Sequence, residues 1–294
     1  MHMHRGIVMG LLGMTGFMAC SEPPSLESEL AAITSAHPKA VVAVSVRDGE
    51  YALDILGDRP FHAASTMKVP VMIEAWRRER AGMLNHAMPL EIINAFRSIV
   101  DSSLYSIEDD TDDAIYKRLG QSMTVTELIY QMITVSSNLA TNLLIDLLSA
   151  EAVQRTVDSL GASGMRVLRG VEDIKAFDLG LSNETTSGAL ARLMEAIMAG
   201  EAVDEEADRA MVEVMLGAAF NEMIPAGLPE KVRVAHKTGQ ITRIHHDAAI
   251  IYSPDADPYV LVILIEGLEN GEDSAALGAE IARTVHAALR DGSL

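Results

Sequence analysis

The sequence predicts a two-lobed α/β (α+β) fold, with about five antiparallel strands in one sheet flanked by helices and an inserted all-helical lobe. Three observations predict it. Two strand-like segments stand near the N-terminus and three near the C-terminus. The long stretch between them carries helical spacing, and a last amphipathic segment closes the chain. The division that follows is an α/β lobe built from both ends (25–64 and 222–294), a helical lobe (65–221), and a separate leader (1–20).

The leader is read as an export signal. His2, His4 and Arg5 precede an apolar segment from Ile7 to Met18, then Ala19-Cys20 and a polar, proline-containing sequence. That segment is short for a bilayer span. Cys20 is the only cysteine of the chain, so no intrachain disulfide forms. Phe17-Met18-Ala19-Cys20 resembles the lipobox of bacterial lipoproteins, with Phe17 where leucine is usual. The resemblance implies lipidation of Cys20, membrane anchoring and a periplasmic location; ordinary signal cleavage nearby is the competing reading.

The elements follow in order. Leu26 to Ala36 has helical spacing and stops at His37-Pro38. Ala40 to Val46 and Tyr51 to Gly57 read as strands joined by a turn at Asp48-Gly49. A helix runs from Ser65 to about Gly82, followed by a loop-rich region through Asp113. Thr124 and Glu127 have capping-box spacing before a helix over Leu128 to Thr134. Leu139, Leu143, Leu144, Leu147 and Leu148 mark the next helix. Val153 to Leu160 and Ser187 to Met198 are ended by Gly161 and Gly200. Between them Arg166 to Asn183 lacks a clean period and reads as a long ordered loop. Ala207 to Leu216 is one more helix. Strands then cover Lys231 to Thr238, Asp247 to Tyr252 and Tyr259 to Glu266, before a helix over Ser274 to Leu289.

Composition narrows the partners. The chain has 294 residues, 49% of them hydrophobic, enough for a large core. Lys plus Arg number 23 against 42 Asp plus Glu, a net charge of −19 that repels nucleic acid. The acidic runs Glu108–Asp113, Glu201–Asp208 and Glu266–Asp273 read as solvated faces without chemistry. Adjacent His245 and His246 would point to opposite faces of a strand, and no other ligands stand at metal spacing, so neither metal nor cofactor is expected. A monomer is expected.

The chemistry centres on His62-Ala63-Ala64-Ser65-Thr66-Met67-Lys68. Ser65 opens a helix, where backbone N–H groups are unpaired and negative charge is stabilised. Lys68, three residues on, shares its face, and a neutral amine within reach can take the serine proton. One S-x-x-K is expected by chance in roughly 300 residues of average composition, and a serine there is commonly only a cap. Two further motifs therefore matter: Ser136-Ser137-Asn138 between two helices, and Lys237-Thr238-Gly239 at a strand end.

S-x-x-K, S-x-N and K-T-G in this order resemble the class A β-lactamases and penicillin-binding proteins, over nearly the whole chain after the leader. The resemblance implies a serine hydrolase that opens β-lactam rings through an acyl-enzyme, with a small β-lactam or a peptidoglycan-like peptide as substrate. It also implies roles. Ser65 is the nucleophile, and the backbone N–H groups of Ser65 and Gln240 hold the oxyanion. Ser136 relays a proton between Lys68, Lys237 and the leaving nitrogen. Asn138 meets the substrate's side-chain amide, while Lys237, Thr238 and Gly239 face its carboxylate. Arg243 is a further candidate for that carboxylate, against a merely solvated arginine.

The pattern departs from the family twice. Ser137 replaces the usual central aspartate of the second motif. In the long loop Arg169-Gly170-Val171-Glu172-Asp173 supplies Glu172 as a candidate base for deacylation, with Asp173 its rival, but Ala176 stands where asparagine is usual. Slow deacylation, as in a penicillin-binding peptidase, and a non-catalytic lipoprotein on the same scaffold are the alternatives.

Overall fold

A computed structural model describes residues 25–291; the leader and Cys20 lie outside the described residues. Helix α1 (Leu26–Ser35), capped by the Ser25 side chain, leads into the hairpin β1 (Val41–Asp48) and β2 (Tyr51–Ile55). The chain then leaves the sheet through a short 3-10 turn (Ala64–Met67) into α2 (Lys68–Arg80). Helices α3 (Val125–Thr134), α4 (Asn138–Leu148), α5 (Ala150–Ser159), α6 (Ile174–Asp178), α7 (Ser187–Ala199) and α8 (Glu205–Met215) follow. Strands β3 (Arg233–Ile241), β4 (Ile244–Tyr252) and β5 (Tyr259–Glu266) and helix α9 (Gly271–Asp291) complete it.

The five strands form one antiparallel sheet in the order β2-β1-β5-β4-β3. Strand β5, from the C-terminal part of the chain, pairs with β1, as expected of a sheet assembled from both ends. Alternation along the strands splits their side chains between two cores. Val260, Val262 and Leu264 of β5 join a large core with α2, α3, α4, α5 and α7. Leu261, Ile263 and Ile265 join a second core with α1 and α9. Strand β5 is thus buried on both faces, which explains its near-continuous apolar run.

The middle stretch differs from the expected all-helical lobe in two respects. It carries small ladders, Pro89–Glu91 with Ser122–Thr124 and Phe96–Arg97 with Leu104–Tyr105, while Phe61–His62 pairs with Glu184–Thr185. Two- and three-residue pairings have too little alternation to register as a pattern. Helix α7 also leaves the helical group to cover one face of the sheet against β1, β4 and β5. The capping box at Thr124 and Glu127 forms as its spacing predicts, and α7 ends on a left-handed Gly200.

Candidate active site

A cleft of about 480 Å³ opens beside the edge strand β3. Its lining comes from the serine turn (His62, Ser65), the acidic loop (Asp109, Asp110), the second motif (Ser136, Asn138), the long loop (Glu172) and β3 (Thr238, Gln240). The chain brings Ser65 there by a sharp entry. Ala64, just before it, has φ of 45°, a left-handed conformation costly for alanine, and its N–H donates to His62 Nδ1 at 3.0 Å. Strand β3 presses against this turn. A Cβ on Gly239 would stand 2.9 Å from the Ser65 nitrogen and 3.0 Å from that of Thr66, so the third motif needs glycine for close approach.

Lys68 and Lys237 are both buried, at 0% and 1% exposure, and both reach Ser136. Lys68 Nζ lies 2.6 Å from the Ser136 carbonyl, 2.9 Å from Asn138 Oδ1 and 3.2 Å from Ser136 Oγ. Lys237 Nζ donates to Ser136 Oγ at 2.9 Å and to the Thr238 carbonyl at 2.8 Å. Burial, reinforced by the charge of Lys237, holds the Lys68 amine well below the ordinary lysine range, against the opposing pull of Asp110 and Glu172. Burial lowers Lys237 to about 7, with Asp247 opposing. A neutral Lys68 keeps a lone pair that the Ser136 hydroxyl can approach, while a charged Lys237 donates to that same oxygen. Ser136 itself sits at φ 58°, a strained position gripped from both lysines.

Glu172 lines the cleft, half-buried, at φ 60°. Desolvation first, and then the charge of Asp109, raise its carboxyl above the usual range, opposed by Arg169 and Lys68. Asp173 is occupied otherwise. It is buried and accepts from Ser98 Oγ at 2.9 Å, the Ile99 N–H at 2.9 Å and the Ala176 N–H at 3.2 Å, capping α6 and tying the long loop to residues 98–99. Both of its oxygens are thus engaged in holding the loop, although it too lines the cleft. Ala176 is fully buried and brings no polar group to the cleft.

Arg243 is not brought in. It occupies the β3–β4 turn at φ 61°, is absent from the cleft lining, and donates to the Gly267 carbonyl at 3.1 Å. Gln240 lies on β3, an edge strand of the sheet, and lines the cleft.

Sequence reading missed two supports. Asn142 grips the long loop as one amide pairs with another: its Nδ2 donates to the Val171 carbonyl at 2.9 Å and its Oδ1 accepts from the Val171 N–H at 2.7 Å. Gly170 makes room, since a Cβ there would collide with Asn142 Oδ1. Asp110 belongs to the acidic run expected to be mere solvated surface. Its Oδ1 instead accepts from the Asn138 N–H and its Oδ2 from the Leu139 N–H, each at 2.9 Å. Helical leucine spacing hides Asn142, and four neighbouring acids hide Asp110.

Comparison with known proteins finds relatives of the chain. A profile described as the Beta-lactamase enzyme family matches residues 25–289. A β-lactamase of Rhodobacter capsulatus is 28% identical over 211 residues, 71% of this chain and 68% of that protein. Beta-lactamase AST-1 of Nocardia asteroides is 32% identical over 177 residues, 58% of this chain and 57% of that protein. The solved β-lactamase of Sphaerobacter thermophilus superposes with a TM-score of 0.76 at 25% identity, covering 90% of this chain and 96% of that one. A mutant of PBP-A, solved as its acyl-enzyme complex with penicillin G, gives 0.79 at 25% identity, with the same coverage of 90% and 96%.

Proposed function

This chain belongs to the β-lactamase enzyme family, and we propose that it is a serine hydrolase that opens β-lactam rings through an acyl-enzyme on Ser65. The observation that carries the reading is the meeting of two buried lysines on Ser136 Oγ beside the cleft that Ser65 lines. Ser65 Oγ attacks the ring carbonyl and gives its proton to neutral Lys68, while the N–H groups of Ser65 and Gln240 hold the oxyanion. The C–N bond then breaks, and Ser136 passes a proton to the departing nitrogen. Water activated by Glu172, whose raised carboxyl suits a general base near neutral pH, hydrolyses the ester and frees Ser65.

Two observations favour a second reading, a penicillin-binding peptidase that deacylates slowly. Asn142 anchors Val171 rather than Glu172, and Ala176 offers a deacylating water no partner. A chromogenic cephalosporin with parallel intact-mass detection separates the two: the β-lactamase turns over and its penicillin adduct decays quickly. Glu172→Gln then keeps acylation and slows adduct loss by about 10² to 10⁴, the scale of general-base catalysis. A wild-type adduct lasting hours, with a lifetime Glu172→Gln leaves unchanged, rejects Glu172 and selects the peptidase.

We further infer export to the periplasm and a lipid anchor on Cys20, supported by the leader sequence and the single cysteine. Mature protein beginning at Cys20 and partitioning with membranes is the expected result. A soluble form cut elsewhere would end the lipoprotein assignment.

A further inference from the structure

The acidic loop is fastened to the second motif along its length. The Asp109 carbonyl accepts from Asn138 Nδ2 at 3.2 Å, and Thr111 Oγ1 donates to the Val135 carbonyl at 2.6 Å. Between them the Asp110 carboxylate takes the N–H groups of Asn138 and Leu139, the Tyr116 hydroxyl at 2.9 Å and the Ser137 hydroxyl at 3.4 Å. These contacts hold the turn that offers Lys68 three acceptors: the Ser136 carbonyl, Ser136 Oγ and Asn138 Oδ1. Ser136 occupies a left-handed conformation that the chain does not favour by itself, so something outside the turn must hold it.

We propose that Asp110 is a positioning residue for acylation: its carboxylate, delivered by the acidic loop, fixes the Ser136-Ser137-Asn138 turn and so sets Ser136 and Asn138 against Lys68. Ser137, at the N-cap of α4, accepts from the Ala140 N–H at 3.3 Å while its own hydroxyl turns to Asp110, and the two preceding N–H groups are left to Asp110. The loop thus supplies from 27 residues away in sequence, the separation of Asp110 from Ser137, the carboxylate that the turn itself lacks. A carboxylate suits the task because two converging N–H donors meet one oxygen each, which an amide cannot match without turning its own NH₂ toward a donor.

The inference rests on Ser65 acylation for its kinetic reading, and its test keeps the two apart. Full-length mature protein carrying Asp110→Ala is compared with wild type at a temperature where circular dichroism shows both fully folded. Acylation by penicillin G, per folded molecule, is expected to fall about a hundredfold, the scale of an ångström-level misplacement of reacting groups. Placing the carboxylate within the turn, in Asp110→Ala/Ser137→Asp, is expected to recover at least about tenfold of that loss by restoring preorganisation. Asp113→Asn, in the same run but exposed, stays within about twofold, as expected of a surface change. Amide exchange reports independently of turnover: the Asn138 and Leu139 N–H groups exchange at least about tenfold faster in Asp110→Ala and are protected again in the double variant. Acylation within about threefold of wild type in folded Asp110→Ala, unchanged exchange, or no recovery in the double variant each overturns the proposal. If wild type forms no penicillin adduct while exchange behaves as stated, the positioning of the turn stands and the β-lactam reading falls.

Discussion

Two lysines without a carboxylate partner at hydrogen-bond distance are buried here, and that arrangement fixes the pH behaviour of the site. Both folded pKa values lie below the unfolded value of about 10.4, so the folded chain binds fewer protons than the unfolded chain. Stability therefore rises as pH rises from about 7, the Lys237 value, toward about 10, and the lysines oppose folding below that window. Activity follows a different rule. In the proposed mechanism Lys68 serves as a base only when neutral, whereas Lys237 holds a substrate carboxylate only when charged. For the free enzyme, kcat/KM for a penicillin should fall as pH is raised through about 7, while unfolding midpoints in urea climb over the same interval. A kcat/KM that keeps rising to pH 9 would contradict the assignment of Lys237. The limbs belong to the coupled pair, so Lys237→Met should alter both.

At the scale of elements, the site is made by the approach of strand β3 to the 3-10 turn before α2. Backbone meets backbone there, with no flexible side chain available to yield. Gly239→Ala should push β3 from the Ser65 turn and cost about 1–3 kcal/mol, the usual cost of an added methylene without space. Acylation should fall more than stability alone explains, because the shift separates the N–H groups of Ser65 and Gln240 proposed to hold the oxyanion. Thermal melts and single-turnover acylation of the same preparation check both effects; a variant with normal acylation would show that β3 does not shape the oxyanion site. The long loop is the second such element. Its order comes from buried anchors, Asp173 on Ile99 and Asn142 on Val171, rather than from regular structure beyond the short α6.

For the whole molecule, periodicity carried most of the fold. Strand-like apolar runs at Val41 to Val46 and Tyr259 to Ile265, near opposite ends of the chain, suffice to predict a sheet built from both ends, and in the structure their side chains alternate between the two cores. Ser65, Lys68, Ser136, Asn138, Lys237 and Thr238 were legible as three short motifs, and the fold gathers them around one cleft or its buried floor. What sequence could not give is contact between segments. Asp110 looks like Asp109, Asp112 and Asp113 until the loop folds onto the α4 turn. Asp173 is indistinguishable from a catalytic acid until Ser98 and Ile99 are found on it. Arg243 follows the third motif closely, yet a two-residue turn sends it to the Gly267 carbonyl. In each case the deciding partner lies at least 24 residues away, beyond any periodic signal.

The central claim is that Ser65 is the residue acylated by β-lactams, and peptide mapping after brief exposure of the mature protein to penicillin G tests it most directly. One penicilloyl mass should appear on the peptide containing Ser65, and Ser65→Ala should carry none while keeping its circular dichroism spectrum and melting behaviour. An adduct on any other residue, or a folded wild-type protein that neither gains the mass nor hydrolyses the drug, would contradict the account.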